Sequence, residues 1–98
     1  MKKYLYYATE ENCFETEKHE TTDIRGDIKS FLADDFCQLD TQEETATSIE
    51  NEVKTDGYGY SVLENGQGYT IIIGVAMEGK CKHISKLITE FRRQAIGY

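Results

Sequence analysis

The pattern of apolar residues predicts an α+β domain: an antiparallel sheet of three to four strands with about three helices packed mainly on one face, in the order β(β)ααββα. Three observations carry that expectation. Two stretches at helical spacing, Ile24–Leu39 and Ile84–Ala95, bracket the chain's middle. A hairpin signal, Asn65-Gly66-Gln67-Gly68, separates an alternating arm from an almost continuously apolar one. An aromatic run, Tyr4–Thr9, opens the chain in the manner of a strand. At 98 residues there is material for one domain spanning 1–98.

The elements follow in order. Tyr4–Thr9 is the first strand. Glu11-Asn12 supplies a turn, after which Phe14–His19 offers a weak second strand with Phe14, Thr16 and Lys18 on one side. That side is poorly hydrophobic, which predicts an edge position. Ile24, Ile28, Phe31, Leu32, Phe36 and Leu39 form the stripe of a first helix, with Thr22 or Asp23 as N-cap because either side-chain oxygen can accept from first-turn amides. Asp40 and Glu43 have capping-box spacing ahead of a second, weakly amphipathic helix over Thr41–Thr55, with Ala46, Ile49 and Val53 as its apolar stripe and Asp56-Gly57 as its stop. Tyr58, Tyr60 and Val62 alternate along the first hairpin arm. The second arm, Tyr69–Met77, is apolar on both faces and reads as a central strand covered by helices. The last helix, Cys81–Ala95, turns Ile84, Leu87, Ile88, Phe91 and Ala95 to one side, and Gly97 ends it.

Composition bounds the function. The formal net charge of −7 disfavours bulk attraction to nucleic acid or anionic membrane. The longest apolar run, Ile71–Met77, is far too short to span a bilayer. Lys2 and Lys3 before Tyr4–Ala8 begin as a signal peptide does, but Glu10 and Glu11 interrupt any apolar region, so the N-terminus reads as mature. Cys13, Cys37 and Cys81 are odd in number and widely spaced, as expected of free thiols in a cytoplasmic protein, with Cys37 and Cys81 as small buried hydrophobes.

Charge is segregated along the chain. Asp34–Asp56 carries Asp34, Asp35, Asp40, Glu43, Glu44, Glu50, Glu52 and Asp56 against Lys54 alone, a balance of −7. Lys80–Tyr98 carries Lys80, Lys82, Lys86, Arg92 and Arg93 against Glu90, a balance of +4. A helix bearing those carboxylates concentrates a negative field that can occupy a surface built for phosphates. The plainer account is a solvated helix face, or acidic and basic segments that pair with each other.

No constellation of catalytic or metal-binding residues stands out. Gly74–Cys81 has the GxxxxGK spacing and resembles the phosphate-binding loop of P-loop NTPases, but Cys81 stands where Ser or Thr holds magnesium, and Val75-Ala76-Met77 looks like continued strand. Gly57-Tyr58-Gly59 and Gly66-Gln67-Gly68 lack the third glycine of a dinucleotide fingerprint. Cys81 and His83, two apart on a helix, diverge. Asp34-Asp35 and Glu43-Glu44 are adjacent carboxylates with no accompanying sign of burial.

The expectation is therefore a non-catalytic interaction protein without cofactor or metal. It docks on a basic protein partner through Asp34, Asp35, Asp40, Glu43, Glu44, Glu50, Glu52 and Asp56, with Tyr58 and Tyr60 assisting. By analogy of size and charge, it is an inhibitor in the style of phage or mobile-element blockers that mimic nucleic acid. Direct nucleic-acid binding is not expected. The runner-up is a small nucleic-acid-binding or regulatory module using Lys82, Lys86, Arg92 and Arg93.

Overall fold

The expected strand with two apolar faces lies at the centre of the molecule. In the computed structural model, residues 1–34, 36 and 38–95 are described; Asp35, Cys37, Gly97 and Tyr98, named above, lie outside them. Among the described residues the order is β1 (Lys3–Thr9), β2 (Glu17–Thr21), α1 (Ile24–Leu32), α2 (Leu39–Asp56), β3 (Tyr58–Glu64), β4 (Thr70–Met77) and α3 (Cys81–Ala95). The four strands form one antiparallel sheet in the order β2-β1-β4-β3. The α+β class and the order ββααββα agree with the reading of the sequence.

Every residue from Ile71 to Ala76 is buried. Successive side chains of a strand point to opposite faces, so β4 needs cover on both. On one face, Leu5, Ile73 and Val75 meet Ile28 and Leu32 of α1 and Ala46, Ile49 and Val53 of α2. On the other, Tyr6, Ala8, Ile72 and Ala76 meet Ile84 and Ile88 of α3 together with Phe14. Two helices thus share one face, while the third closes the other. Each fully buried isoleucine contributes about 1.5–3 kcal/mol relative to exposure, and Ile71, Ile72 and Ile73 are all fully buried.

Local chemistry sets the boundaries. Asp23 caps α1, its carboxylate accepting from the Gly26 amide at 3.1 Å. The first helix ends at Leu32, short of the stripe's last members, and Phe36 packs onto the same core from beyond the helix. Gln38 is the N-cap of α2 and makes no side-chain cap bond, so the Asp40–Glu43 capping box does not form and Asp40 lies inside the first turn. Gly57 closes α2 at φ 83°, its amide donating to the Val53 carbonyl. The second strand begins at Glu17, three residues later than expected. Cys13 and Phe14 instead adopt left-handed backbone, which drops the Phe14 ring onto Phe91 of α3, 5.7 Å between centroids.

Both helical layers approach the sheet through glycine. A Cβ on Gly59 would lie 2.5 Å from Glu52 Cβ and 3.0 Å from the Ile49 carbonyl of α2. One on Gly74 would meet Ile84 Cδ1 of α3 at 3.1 Å. Strand propensity alone favours Ala over Gly at position 59. The close approach of α2 reverses that sign: Gly59→Ala is expected to cost about 1–3 kcal/mol by overpacking, read as a lowered urea midpoint at unchanged slope. A stabilised Gly59→Ala protein would contradict this packing.

Candidate functional site

The predicted acidic residues lie mainly on α2. An α-helix turns 100° per residue, so Glu50, Glu43, Asp40, Glu44, Glu52 and Asp56 spread over about two-thirds of its circumference and do not gather on one stripe. Glu43 and Glu50 face α1, where Arg25 reaches Glu43 at 2.5 Å and Glu50 at 3.6 Å, and Lys29 also pairs with Glu43. Arg25 further donates to Thr47 Oγ1 at 2.9 Å. These two carboxylates tie α2 to α1 and are removed from the candidate docking set.

Five others are differently placed. Asp40 and Glu44 are exposed on the outward crest of α2 and make no ion pair among the described residues. Glu52 accepts from Ser48 Oγ at 3.3 Å and packs over Gly59 on the β3 side. Asp56 is exposed in the last turn, and Asp34 is exposed in the turn after α1.

Tyr58 and Tyr60 are separated from this set. The even positions of β3 pair with Ala76, Gly74 and Ile72 and therefore point to the α3 face. The Tyr58 ring stacks on His83, with centroids 4.3 Å apart and planes 7° from parallel. Together with Tyr60, Lys82, Lys86, Leu87 and Glu90, this stack lines a groove between α3 and the outer edge of β3. Tyr60 and Val62 remain 38% and 43% exposed beside it. The sequence marked the lysines and tyrosines separately. Period-two alternation placed Tyr58 and Tyr60 together, but their approach to α3 depends on the side from which that helix covers the sheet.

Tyr4, Tyr6 and Tyr7 pack within the domain, whereas Tyr69 is exposed. Tyr6 is buried beneath α3, and burial, aided by the nearby Cys81 thiol, raises its hydroxyl pKa. Lys18 lies 4.6 Å from the Tyr4 ring centroid and 5.5 Å from that of Tyr6. Its pKa is raised by hydrogen bonding to Tyr6 and by the charge the phenol can carry. Tyr7 faces the other layer and tilts against Phe31, with centroids 5.2 Å apart.

The basic residues of α3 also divide by role. Arg92 grips the β1–β2 connection, donating from Nε and Nη2 to the Phe14 carbonyl at 3.2 and 2.6 Å and from Nη2 to Thr16 Oγ1 at 3.2 Å. It secures the left-handed turn and is not free for a ligand. Lys82, Lys86 and Arg93 are exposed.

The GxxxxGK stretch does not build an anion cradle. Its residues run as β4 through Met77, where Val75 and Ala76 are held in ladders with both β1 and β3. The turn lies at Glu78-Gly79-Lys80. Among the described residues, no group of three or more His, Cys, Asp or Glu converges as a metal site. Cys13 is exposed and Cys81 is half-buried against the α3 core.

No protein-family model, curated protein or solved structure matches this chain. The candidate surfaces therefore rest on geometry and charge. No described helix is long and apolar enough to cross a membrane.

The α1–α2 ion pairs have a pH signature. Hydrogen bonding from Lys29, reinforced by Arg25, holds the Glu43 carboxyl below its ordinary pKa. A depressed carboxyl pKa contributes stability above the ordinary value of about 4.3, and that contribution is lost as pH falls through the lowered one. The Glu43 side-chain carbon is expected to titrate by NMR below the ordinary glutamate value of about 4.3, and Lys29→Met is expected to move it upward. Identical midpoints in the two proteins would contradict the pairing.

Proposed function

We propose that this chain is a non-catalytic interaction protein whose acidic helical layer docks on a basic protein surface. The carrying observation is that the sheet stands between α2 and α3. The acidic and basic segments thus lie on opposite faces, and no ion pair among the described residues joins them. Internal neutralisation by the last helix is thereby removed as the reason for the acidic segment, and Asp40 and Glu44 remain turned outward. The docking set is smaller than the sequence implied. It centres on Asp40 and Glu44, flanked by Asp34, Glu52 and Asp56. A partner that normally binds phosphates presents the complementary field, consistent with an inhibitor that occupies a nucleic-acid site.

One observation favours a second reading. The stacked Tyr58–His83 pair beside Lys82 and Lys86 offers an aromatic platform next to cations, the chemistry that holds a single nucleic-acid strand. It is the weaker reading, because Arg92 is engaged internally and the net charge of −7 opposes a polyanion.

The two are distinguished by placing charge reversals on opposite faces. The docking reading expects the tagged protein to capture a basic nucleic-acid-binding protein, with nucleic acid competing for that partner. Asp40→Lys with Glu44→Lys is expected to weaken capture roughly tenfold at low salt, about 1.4 kcal/mol. Lys82→Glu with Lys86→Glu is expected to leave it in place. Capture that ignores the first pair overturns the reading. Binding of a labelled single-stranded oligonucleotide that disappears with the second pair would establish the alternative.

A further inference from the structure

We propose that a second copy of this chain pairs with β3, joining two sheets edge to edge. The two borders of the sheet are unlike. Strand β2 has five residues and exposes Glu17, Lys18, His19 and Glu20, charges that discourage strand pairing. Strand β3 has seven residues and exposes Tyr60 and Val62, and no described strand lies beyond it. An edge of that length with exposed apolar side chains is a template for another strand.

The hydrogen-bond phase of β3 gives the edge its donors and acceptors. The Met77 amide donates to the Gly57 carbonyl at 2.8 Å, and the Asn65 amide to the Tyr69 carbonyl at 3.0 Å. In an antiparallel ladder such inward-bonded positions alternate with outward ones. Gly57, Gly59, Ser61, Leu63 and Asn65 therefore bond toward β4. Tyr58, Tyr60, Val62 and Glu64 turn their amides and carbonyls outward, and these same residues point their side chains to the α3 face.

A two-fold axis perpendicular to the sheet, midway between the Ser61 residues of two facing copies, brings two β3 strands together over their whole length. In that register Tyr60 lies opposite Val62 of the second copy, and Tyr58 opposite its Glu64. All four outward positions become hydrogen-bonded pairs, and both exposed apolar side chains meet across the seam. The charge at the ends is complementary. Glu64 of the second copy arrives beside Tyr58, where Lys82, His83 and Lys86 line the groove. The interface is self-complementary, as a two-fold contact requires. It places both α3 helices on one side of a continuous sheet and both acidic layers on the other, so the crests carrying Asp40 and Glu44 stay exposed. The net charge of −7 on each copy opposes association, and salt near 0.15 M, with a Debye length of about 8 Å, screens much of that repulsion.

Sedimentation equilibrium of the full chain in 0.15 M salt, over a concentration series reaching the millimolar range, tests this. The mass is expected to rise from 11.2 kDa toward twice that value. Val62→Pro removes an outward amide while sparing the β4 ladder and is expected to weaken dimerisation at least about tenfold, 1.4 kcal/mol. Glu64→Lys and Lys82→Glu keep the backbone unchanged. Each alone is expected to weaken the dimer, and the two combined to restore it, with circular dichroism confirming that each variant folds. A wild-type chain monomeric throughout the series overturns the proposal, as does a dimer unaffected by Val62→Pro and by both charge reversals. Neither result bears on docking through α2, which uses the opposite layer.

Discussion

Strand β4 must be covered on both sides, and the rest of the molecule follows from that. Six consecutive buried residues, Ile71 to Ala76, cannot face water on either side of a pleated strand. The two helices between β2 and β3 cover one face, so the amphipathic C-terminal helix is left to cover the other. Flanking strands protect the ladder: β1 lies on one side of β4, completed outward by β2, and β3 lies on the other. The contact at Gly74 shows how tightly the C-terminal helix is seated, since Ile84 occupies the space a side chain would need.

This two-sided cover sorts the charges in space. Carboxylates concentrated in the middle of the chain fall on one layer and most bases of the last segment on the other, with an apolar sheet between them. Within the acidic layer a second sorting occurs. Arg25 and Lys29 of α1 draw Glu43 and Glu50 inward along the helix–helix seam and leave the crest of α2 unpaired. Exposed pairs of this kind contribute little to stability. Their larger consequence is to decide which carboxylates remain free for an external partner.

The groove on the other layer arises from a mismatch of extent. The core of α3 is built against β1 and β4, through Tyr6, Ala8, Ile72 and Ala76. Strand β3 therefore projects beyond full cover, and Tyr60 and Val62 stay partly exposed. His83 stacks on Tyr58 at the near end, and Lys82 and Lys86 flank the gap. Arg92, which looked equivalent to these lysines in the sequence, is consumed at the other end of the helix by the carbonyl of a left-handed Phe14. These three cations of one helix thus have different fates because only Arg92 lies within reach of the Phe14 carbonyl.

The sequence by itself determined the element order, the α+β class, a cap for the first helix at Thr22 or Asp23, the Gly57 stop, the start of the last helix and the centrality of β4. Each is a local property: a hydrophobic period, a capping oxygen, a glycine able to take positive φ, or apolarity on both faces of one strand. It misplaced the start of β2, because the burial of Phe14 against Phe91 is a contact across most of the chain and overrides local strand propensity. Only the tertiary structure decided that Tyr58 and Tyr60 accompany the basic helix and not the acidic one, and that Glu43 and Glu50 are already engaged. Those outcomes depend on strand order and on which face each helix covers. Both are set by long-range pairing between β1 and β4, whose register leaves no trace in the spacing of neighbouring residues.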